Sequence, residues 1–361
     1  MSASSILLPH HLLCLCLLLL SPPPAIALNL NAVERVLLLP RLNSVRIAFR
    51  ETFDDVVAPS LFGARAQPSS SSSSSNPNSG GDIGDDIVLI FPGAGGPDIL
   101  TAELESALKS WDISVGELTT PRRVATVDWS EYTGSLLTAA YESETVGEAC
   151  AEALWGRYDE SSSSAGEKRG EGEGEAAVAR RPPPRSVHAI GISVGGFAAS
   201  SFARETCRLR DDERSAADRG EDLGGGGRSG NGHRATYVRL TLLDPFTSRG
   251  ITGSRYGPTN FGRDVDFAEQ YLNTDDPVPT TNDPLPLCHC VDVTGSAFRE
   301  AFIPPEGDSM HSWPLAYYSR FGWEEGASVV VDERGEGGGE RLVGLPTHGR
   351  GRERGSVVFR K

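Results

Sequence analysis

The sequence predicts an α/β protein in which a mostly parallel central sheet is flanked by helices. Apolar runs at residues 87–91 and 187–192 have the composition and length of strands that are buried on both faces, as in a parallel sheet. Segments with helical periodicity at 99–111 and 136–154 lie between these runs. Because strands that alternate with helices form parallel βαβ units, we expect the strands to lie side by side in one sheet.

Low-complexity segments interrupt this pattern and account for much of the chain length. The 361 residues would allow about two domains, but serine, glycine and charged residues fill several stretches that cannot bury apolar surface. We therefore predict one domain with long insertions. The predicted divisions are an N-terminal segment with a Ser-rich linker at 28–84, the α/β domain at 85–325, insertions at about 160–185 and 211–234, and a low-complexity tail at 326–361.

Residues 1–27 have the features of a secretory signal peptide. Leu12 to Leu20 is an apolar core too short to span a bilayer, and residues 25–27 read Ala-Ile-Ala, a cleavage pattern. The expected location is outside the cell, with an organelle lumen as the alternative. Removal of this leader would leave Cys150, Cys207, Cys288 and Cys290, whose pairing in an oxidising compartment the spacing does not determine.

The charge balance argues against a nucleic-acid partner. The chain carries 49 acidic and 34 basic residues, for a formal net charge of −15, and a nucleic-acid binder needs a basic footprint. Cys288-His289-Cys290 has no second Cys/His pair at ligand spacing, so we predict no metal and no cofactor. No obligate protein partner is indicated.

The remaining elements follow in chain order. The N-terminal segment is ambiguous, with a possible short strand at 36–40 and a helix or strand at 44–53. We expect further strands at 123–129, 237–243, 267–273 and 290–294, and a loop that leads into a helix at 310–318.

The chemistry-bearing motif is Gly-x-Ser-x-Gly at residues 191–195, between an apolar strand and a small-residue helix. In a strand–turn–helix elbow the serine sits at a strained bend, and the flanking glycines let neighbouring backbone come close. Ser193 is therefore the candidate nucleophile. The Gly-rich turn after Phe91 lacks the Lys-Ser/Thr of a phosphate-binding loop and is a candidate for backbone N–H donors.

A serine nucleophile needs a base, and the base needs a carboxylate to hold its tautomer. His311 lies in an ordered-looking loop before an aromatic helix, whereas His233 and His348 lie in low-complexity stretches and His289 lies inside a predicted strand. His311 is therefore the candidate base. The acid is either Asp276 or Asp244, since each follows a predicted strand, and we favour Asp276. An Asp-Pro turn or a helix cap would explain either residue without catalysis.

These motifs resemble those of the α/β-hydrolase superfamily, in particular its lipases, over about residues 87–318. The stretch from His188 to Gly195 is similar to the nucleophile strand of pancreatic-type lipases, and Leu243-Asp244-Pro245 resembles their acid. Residues 275–279 and 311–314 are instead similar to class 3 lipases, whose acid comes later in the chain. The resemblance implies an α/β-hydrolase fold and leaves the choice of acid open.

The resemblance further implies a carboxylic ester hydrolase, with N–H donors to the oxyanion from Ala94 or Gly95 and from Val194. Its substrate would be a small-molecule ester or an acyl lipid, with the acyl lipid bound at a lipid interface. The turn Phe91-Pro92-Gly93-Ala94 departs from the usual His-Gly of these lipases. A non-catalytic binding protein of the same fold is therefore the alternative.

Overall fold

The computed structural model describes an α/β domain. It covers residues 30–62, 85–110, 122–132, 136–159, 183–219, 236–249, 256–306, 308–322, 330–331, 341–342, 354–355 and 357–359. The predicted leader and Ser-rich linker lie outside these residues, as does most of both predicted insertions. Among the residues covered, no helix combines the length and apolar character needed to cross a bilayer.

One sheet of seven parallel strands forms the centre of the domain, in the order β2-β1-β3-β4-β5-β6-β9. The α/β prediction is confirmed, and the sheet is parallel throughout. The strands are β1 (Asp86–Phe91), β2 (Arg122–Thr126), β3 (Ser186–Ile192), β4 (Tyr237–Leu243), β5 (Phe267–Leu272), β6 (His289–Asp292) and β9 (Val357–Phe359). A separate antiparallel pair consists of β7 (Val330–Val331) and β8 (Arg341–Leu342).

Helices cover both faces of the sheet. The helices are α1 (Leu30–Thr52), α2 (Ala58–Phe62), α3 (Ile99–Ser110), α4 (Leu136–Asp159), α5 (Gly195–Asp218), α6 (Tyr256–Asn260) and α7 (Trp313–Tyr317). Successive side chains of β1 alternate between the faces: Leu89 joins the core beneath α1, α4 and α5, whereas Val88 and Ile90 join the core beneath α3 and α7. β1 is therefore apolar on both faces from Ile87 to Phe91.

The N-terminal segment, which the sequence left ambiguous, is helical over Leu30–Thr52. No strand forms at 36–40, and the ambiguity arose because a short apolar run does not distinguish a strand from a buried helix. Leu42, Val45, Phe49 and Phe53 are buried at helical spacing, and Arg46 of α1 forms ion pairs with two glutamates of α4. Packing on α4 thus selects the helix, even with Pro40 inside it.

Two boundaries of the domain differ from those expected. α5 continues to Asp218, so the start of the insertion placed at 211 falls inside a helix. In the tail, β9 pairs with β6, so a boundary at residue 325 excludes an edge strand of the sheet. The charged sequence after residue 210 extends α5 and carries an i,i+4 ion pair between Arg208 and Asp212.

The cysteines at 150, 207, 288 and 290 are unpaired thiols buried in the core. Burial raises the pKa of Cys207 to about 12 and that of Cys290 to about 11. None of the disulfides allowed by an oxidising compartment is present among these four residues. The fold therefore does not depend on disulfide bonds between them.

α4 and α5 are in close backbone contact at Gly147, which gives a test of this packing. A methyl group at Gly147 would lie 2.1 Å from the Ala198 carbonyl oxygen and 2.9 Å from the Phe202 nitrogen. Both obstacles are backbone, so we expect Gly147→Ala to lower the free energy of unfolding by about 1–3 kcal/mol. The measurement is urea unfolding of the full chain.

Gly156→Ala is the matched control, because a methyl group at this position of the same helix meets no atom within 4 Å. It should raise the free energy of unfolding by about 0.5–1 kcal/mol, since glycine disfavours a helix interior. Equal effects of the two substitutions would contradict the close contact of the helices.

Candidate active site

The candidate site lies at the edge of the sheet formed by the carboxyl ends of the strands. Because all the strands are parallel, the residues that follow β1, β3, β4 and β5 emerge at this same edge. The chain order reverses between β1 and β3, since β2 lies on one side of β1 and the later strands lie on the other. Such a reversal opens a crevice that α/β proteins use for ligands. Ser193 and the Gly-rich turn flank it.

Ser193 is held in the strained conformation expected of an elbow. Its φ is +51°, in the left-handed region that non-glycine residues rarely adopt. The Ser193 N–H donates to the Leu243 carbonyl oxygen at 3.1 Å, and the Ser193 carbonyl oxygen accepts from the Gly196 N–H at 3.0 Å. α5 begins at Gly195, two residues after the serine. The side chain of Ser193 is only partly buried.

The glycines on both sides of Ser193 are required by close backbone contacts. A methyl group at Gly195 would lie 2.2 Å from the Phe91 carbonyl oxygen and 2.3 Å from that of Pro92. A methyl group at Gly191 would lie 2.7 Å from the Gly196 Cα. The elbow is therefore pressed directly against the end of β1.

The turn after β1 faces Ser193. A methyl group at Gly93 would lie 3.3 Å from the Ser193 Cβ, and the Pro92 carbonyl oxygen accepts a hydrogen bond of 3.0 Å from the buried Trp129 indole N–H. Ala94 and Gly95 follow on the exposed tip of the turn, where Gly95 has a φ of +97°. This turn lies close enough to the elbow for its backbone to face a group bound at Ser193.

Val194 places a backbone N–H next to the serine, at the start of α5. The following N–H groups are already bonded, with Gly196 donating to Ser193 and Phe197 donating to the Val194 carbonyl oxygen. No residue that the structure describes accepts a hydrogen bond from the Val194 N–H. The positive end of α5 therefore points this donor at the crevice.

His311 meets both candidate acids. It lies in a 3₁₀ turn, Met310–Ser312, whose start is capped by the Ser309 hydroxyl, which accepts from the His311 N–H. His311 Nδ1 lies 2.6 Å from Asp276 Oδ2 and 3.2 Å from Asp244 Oδ2. The Asn273 side-chain amide donates to the Met310 carbonyl oxygen at 3.1 Å and ties this turn to the loop after β5.

The two carboxyls differ in their surroundings. Asp276 accepts hydrogen bonds from the Thr281 hydroxyl at 2.6 Å and from the Val278 N–H at 3.0 Å, in addition to His311. Burial raises its pKa, but these donors outweigh burial and lower the pKa to about 2. Asp276 is thus a stable carboxylate at neutral pH.

Asp244 is also buried but has fewer donors. Its φ is +45°, and its Oδ1 accepts a single N–H, from Asn273 at 3.3 Å. Burial raises the pKa of Asp244 to about 7, despite the opposing effect of His311. Burial by itself would lower the pKa of His311, but its hydrogen bonds to the two carboxyls raise that pKa to about 9.

The other histidines in the described residues do not approach this site. His289 lies in β6 and stacks on Phe267, with ring centroids 5.0 Å apart. His188 is buried in β3, where its Nε2 lies 2.7 Å from the Thr241 hydroxyl. Burial holds the pKa of His188 well below its usual value. His233 and His348 lie outside the described residues.

Among the described residues, Asp244, Asp276 and His311 form a group of side chains of the types that bind metal ions. Their potential ligand atoms lie within 4.8 Å of one another. Their oxygen and nitrogen atoms are already joined by hydrogen bonds to Nδ1. Cys288-His289-Cys290 is not a chelating set, because successive residues of a strand point to opposite faces and His289 therefore faces away from Cys290. The Cys290 thiol instead contacts the Gln270 amide oxygen at 3.2 Å.

The sequence did not indicate two residues that support the site. Thr281 and Asn273 reach it through loop geometry and carry no motif of their own. The candidates Ser193, Asp244, Asp276 and His311 are all brought to one edge of the sheet. The structure shows no hydrogen bond between the Ser193 hydroxyl and His311 among the residues that it describes.

Comparisons with known proteins do not identify a family. No protein-family model matches the chain. No curated protein and no solved structure matches it.

The position of His311 between two carboxyls predicts an unusual titration. We expect its imidazole to remain protonated up to about pH 9, and the buried His188 to remain neutral. Because the folded pKa lies above the value near 6.5 of an unfolded histidine, the stabilisation from His311 is complete below pH 6.5 and is lost as the pH rises towards 9. Proton NMR of the ring resonances, assigned with His311→Gln, measures this. A midpoint near 6.5 would contradict the geometry.

Proposed function

We propose that the protein is a serine hydrolase that cleaves carboxylic esters, with Ser193 as nucleophile, His311 as base and Asp276 as the acid that orients the base. The observation that carries the proposal is the arrangement at one edge of the sheet. A strained serine lies at the end of β3, and a histidine in contact with a buried carboxylate lies beside the end of β4. The proposed fold is the α/β-hydrolase fold that the sequence resembles.

The reaction would proceed through an acyl-enzyme. The Ser193 oxygen attacks the ester carbonyl carbon while its proton passes to His311 Nε2. The carbonyl oxygen becomes an oxyanion that the N–H groups of Val194 and of Ala94 or Gly95 can stabilise. Collapse breaks the C–O bond of the ester, and His311 returns the proton to the leaving alcohol. Water then hydrolyses the acyl-enzyme by the same steps and restores Ser193.

Asp276 fits the orienting role better than Asp244. It makes the shorter contact with His311 Nδ1, 2.6 Å against 3.2 Å, and its pKa is the one that is lowered. A carboxylate at Nδ1 holds the ring proton there and leaves Nε2 free to accept. Because His311 must be unprotonated to act as a base, kcat/KM should rise with pH towards about 9.

The aromatic residues that follow His311 do not supply a binding surface for an acyl chain. Trp313, Tyr317 and Tyr318 are buried in the core that α3 and α7 share. An acyl lipid and a lipid interface therefore rest on the resemblance alone. The proposed location, outside the cell or in an organelle lumen, rests on residues 1–27.

A non-catalytic protein that binds a small molecule at the same crevice is the second candidate. It is favoured by the absence, among the described residues, of a hydrogen bond between the Ser193 hydroxyl and His311. Such bonds are often long in enzymes without substrate and tighten in the complex. Chemical reactivity of Ser193 separates the two candidates.

A fluorophosphonate probe tests the proposed nucleophile. We expect it to label the folded full chain once, at Ser193, since the probe reacts with a serine that an adjacent base activates. Ser193→Ala should abolish labelling. Ser200→Ala is the matched control, because Ser200 is a buried serine on α5. Folded protein that is not labelled at Ser193 would exclude the enzyme and leave the binding protein.

A further inference from the structure

Two carboxyl groups share one imidazole nitrogen in this structure, whereas a serine triad needs only one. Asp244 Oδ2 and Asp276 Oδ2 both lie within hydrogen-bond distance of His311 Nδ1. Their side chains are 2% and 0% exposed, so water does not separate their charges. These are the two charged groups that face His311 among the residues that the structure describes.

An imidazole has one hydrogen at Nδ1 and cannot satisfy two buried carboxylates. Two carboxylates this close in a buried site repel each other, so one of them retains a proton. The donors around them decide which one. Asp276 accepts from Thr281, Val278 and His311, whereas Asp244 accepts one backbone N–H at 3.3 Å and the longer contact from His311. Ionisation is therefore favoured at Asp276.

We propose that Asp244 is a positioning residue that carries a proton near neutral pH, donates its O–H to Asp276 and thereby leaves His311 facing a single negative charge. The proposal rests on the function proposed above. The pKa values agree with the geometry: burial raises that of Asp244 to about 7, and donors lower that of Asp276 to about 2.

This arrangement determines how strongly His311 holds its proton. With Asp244 protonated, one carboxylate orients the ring, and Nε2 can lose its proton without leaving two uncompensated charges beside it. When Asp244 ionises, the second negative charge strengthens the hold of His311 on its proton. The three groups therefore titrate as a coupled unit.

Asp244→Asn tests the proposal because asparagine copies a protonated aspartic acid. It keeps a donor that can reach Asp276, and like aspartate it tolerates the φ of +45°. Loss of the second negative charge should lower the pKa of His311 by about 1–3 units, the range for a charge at this distance. NMR titration measures that pKa directly. The acidic limb of kcat/KM should move to lower pH by the same amount.

Asp276→Asn should behave differently, because it removes the carboxylate that holds the ring tautomer. We expect kcat to fall by about 10⁴-fold, as for the orienting aspartate of serine proteases. Asp244→Asn should cost far less than that. Asp244→Gly is also compatible with a positive φ and should likewise lower the pKa of His311. It replaces the asparagine variant in the titration if that variant does not fold.

Asp275→Asn is the matched control. Asp275 precedes Asp276, is 62% exposed and pairs with Arg299, so its loss should leave the pKa of His311 in place. The ring resonances of His311 in the unsubstituted protein should also shift near pH 7, where Asp244 ionises, and this shift should be absent in Asp244→Asn. Absence of that shift from the unsubstituted protein would overturn the proposal, and so would a 10⁴-fold loss in Asp244→Asn with activity retained in Asp276→Asn. The NMR result needs no ester turnover. Failure of Ser193 labelling would therefore reject the proposed function, whereas the titration alone decides the role of Asp244.

Discussion

The parallel direction of the strands is the constraint on which the candidate site depends. Ser193, Asp244 and Asp276 follow three different strands and lie far apart along the chain. They meet because β3, β4 and β5 are neighbours with the same direction. Reversal of any one of them would carry its loop to the opposite edge. The elbow adds a second constraint, since the contact of Gly195 with the end of β1 sets the distance between the serine and the glycine turn.

Burial of charge is the second physical theme of the site. Asp244, Asp276 and His311 lie in a site that is largely inaccessible to solvent, and each alters the proton affinity of the others. Donors stabilise the ionised form of Asp276, and burial with few donors stabilises the protonated form of Asp244. The direction of each pKa therefore follows from counting hydrogen bonds, and the contrast between two identical side chains comes from their loops.

A buried ion pair lies on the face of the sheet that α3 and α7 cover. Arg239 on β4 pairs with Glu269 on β5, and Thr241 donates to the same carboxylate at 2.5 Å. Burial of an ion pair is costly unless its hydrogen bonds are satisfied. This pair interacts with Tyr318, which is buried and belongs to the segment that follows His311. The network thus supports the core on which the His311 turn rests, without contact with the candidate site.

The sequence by itself determined the α/β class, the elbow at Ser193 and the candidate base, because each depends on local pattern. Apolar runs identify buried strands, and Gly-x-Ser-x-Gly between a strand and a helix identifies the bend. The helix at residues 30–52 was not predictable in the same way, because its apolar spacing is also compatible with a strand. Packing on α4 selects the helix. The strand at 357–359 likewise depends on pairing with β6.

The relation between Asp244 and Asp276 was decided by the tertiary structure. Each follows a strand and precedes a proline, so local pattern treats them alike. Their difference comes from the Thr281 and Val278 donors to Asp276, against the single backbone N–H of Asn273 that Asp244 accepts. Local sequence specifies which groups are present, whereas the proton affinity of a buried carboxyl depends on donors that only the folded chain brings together.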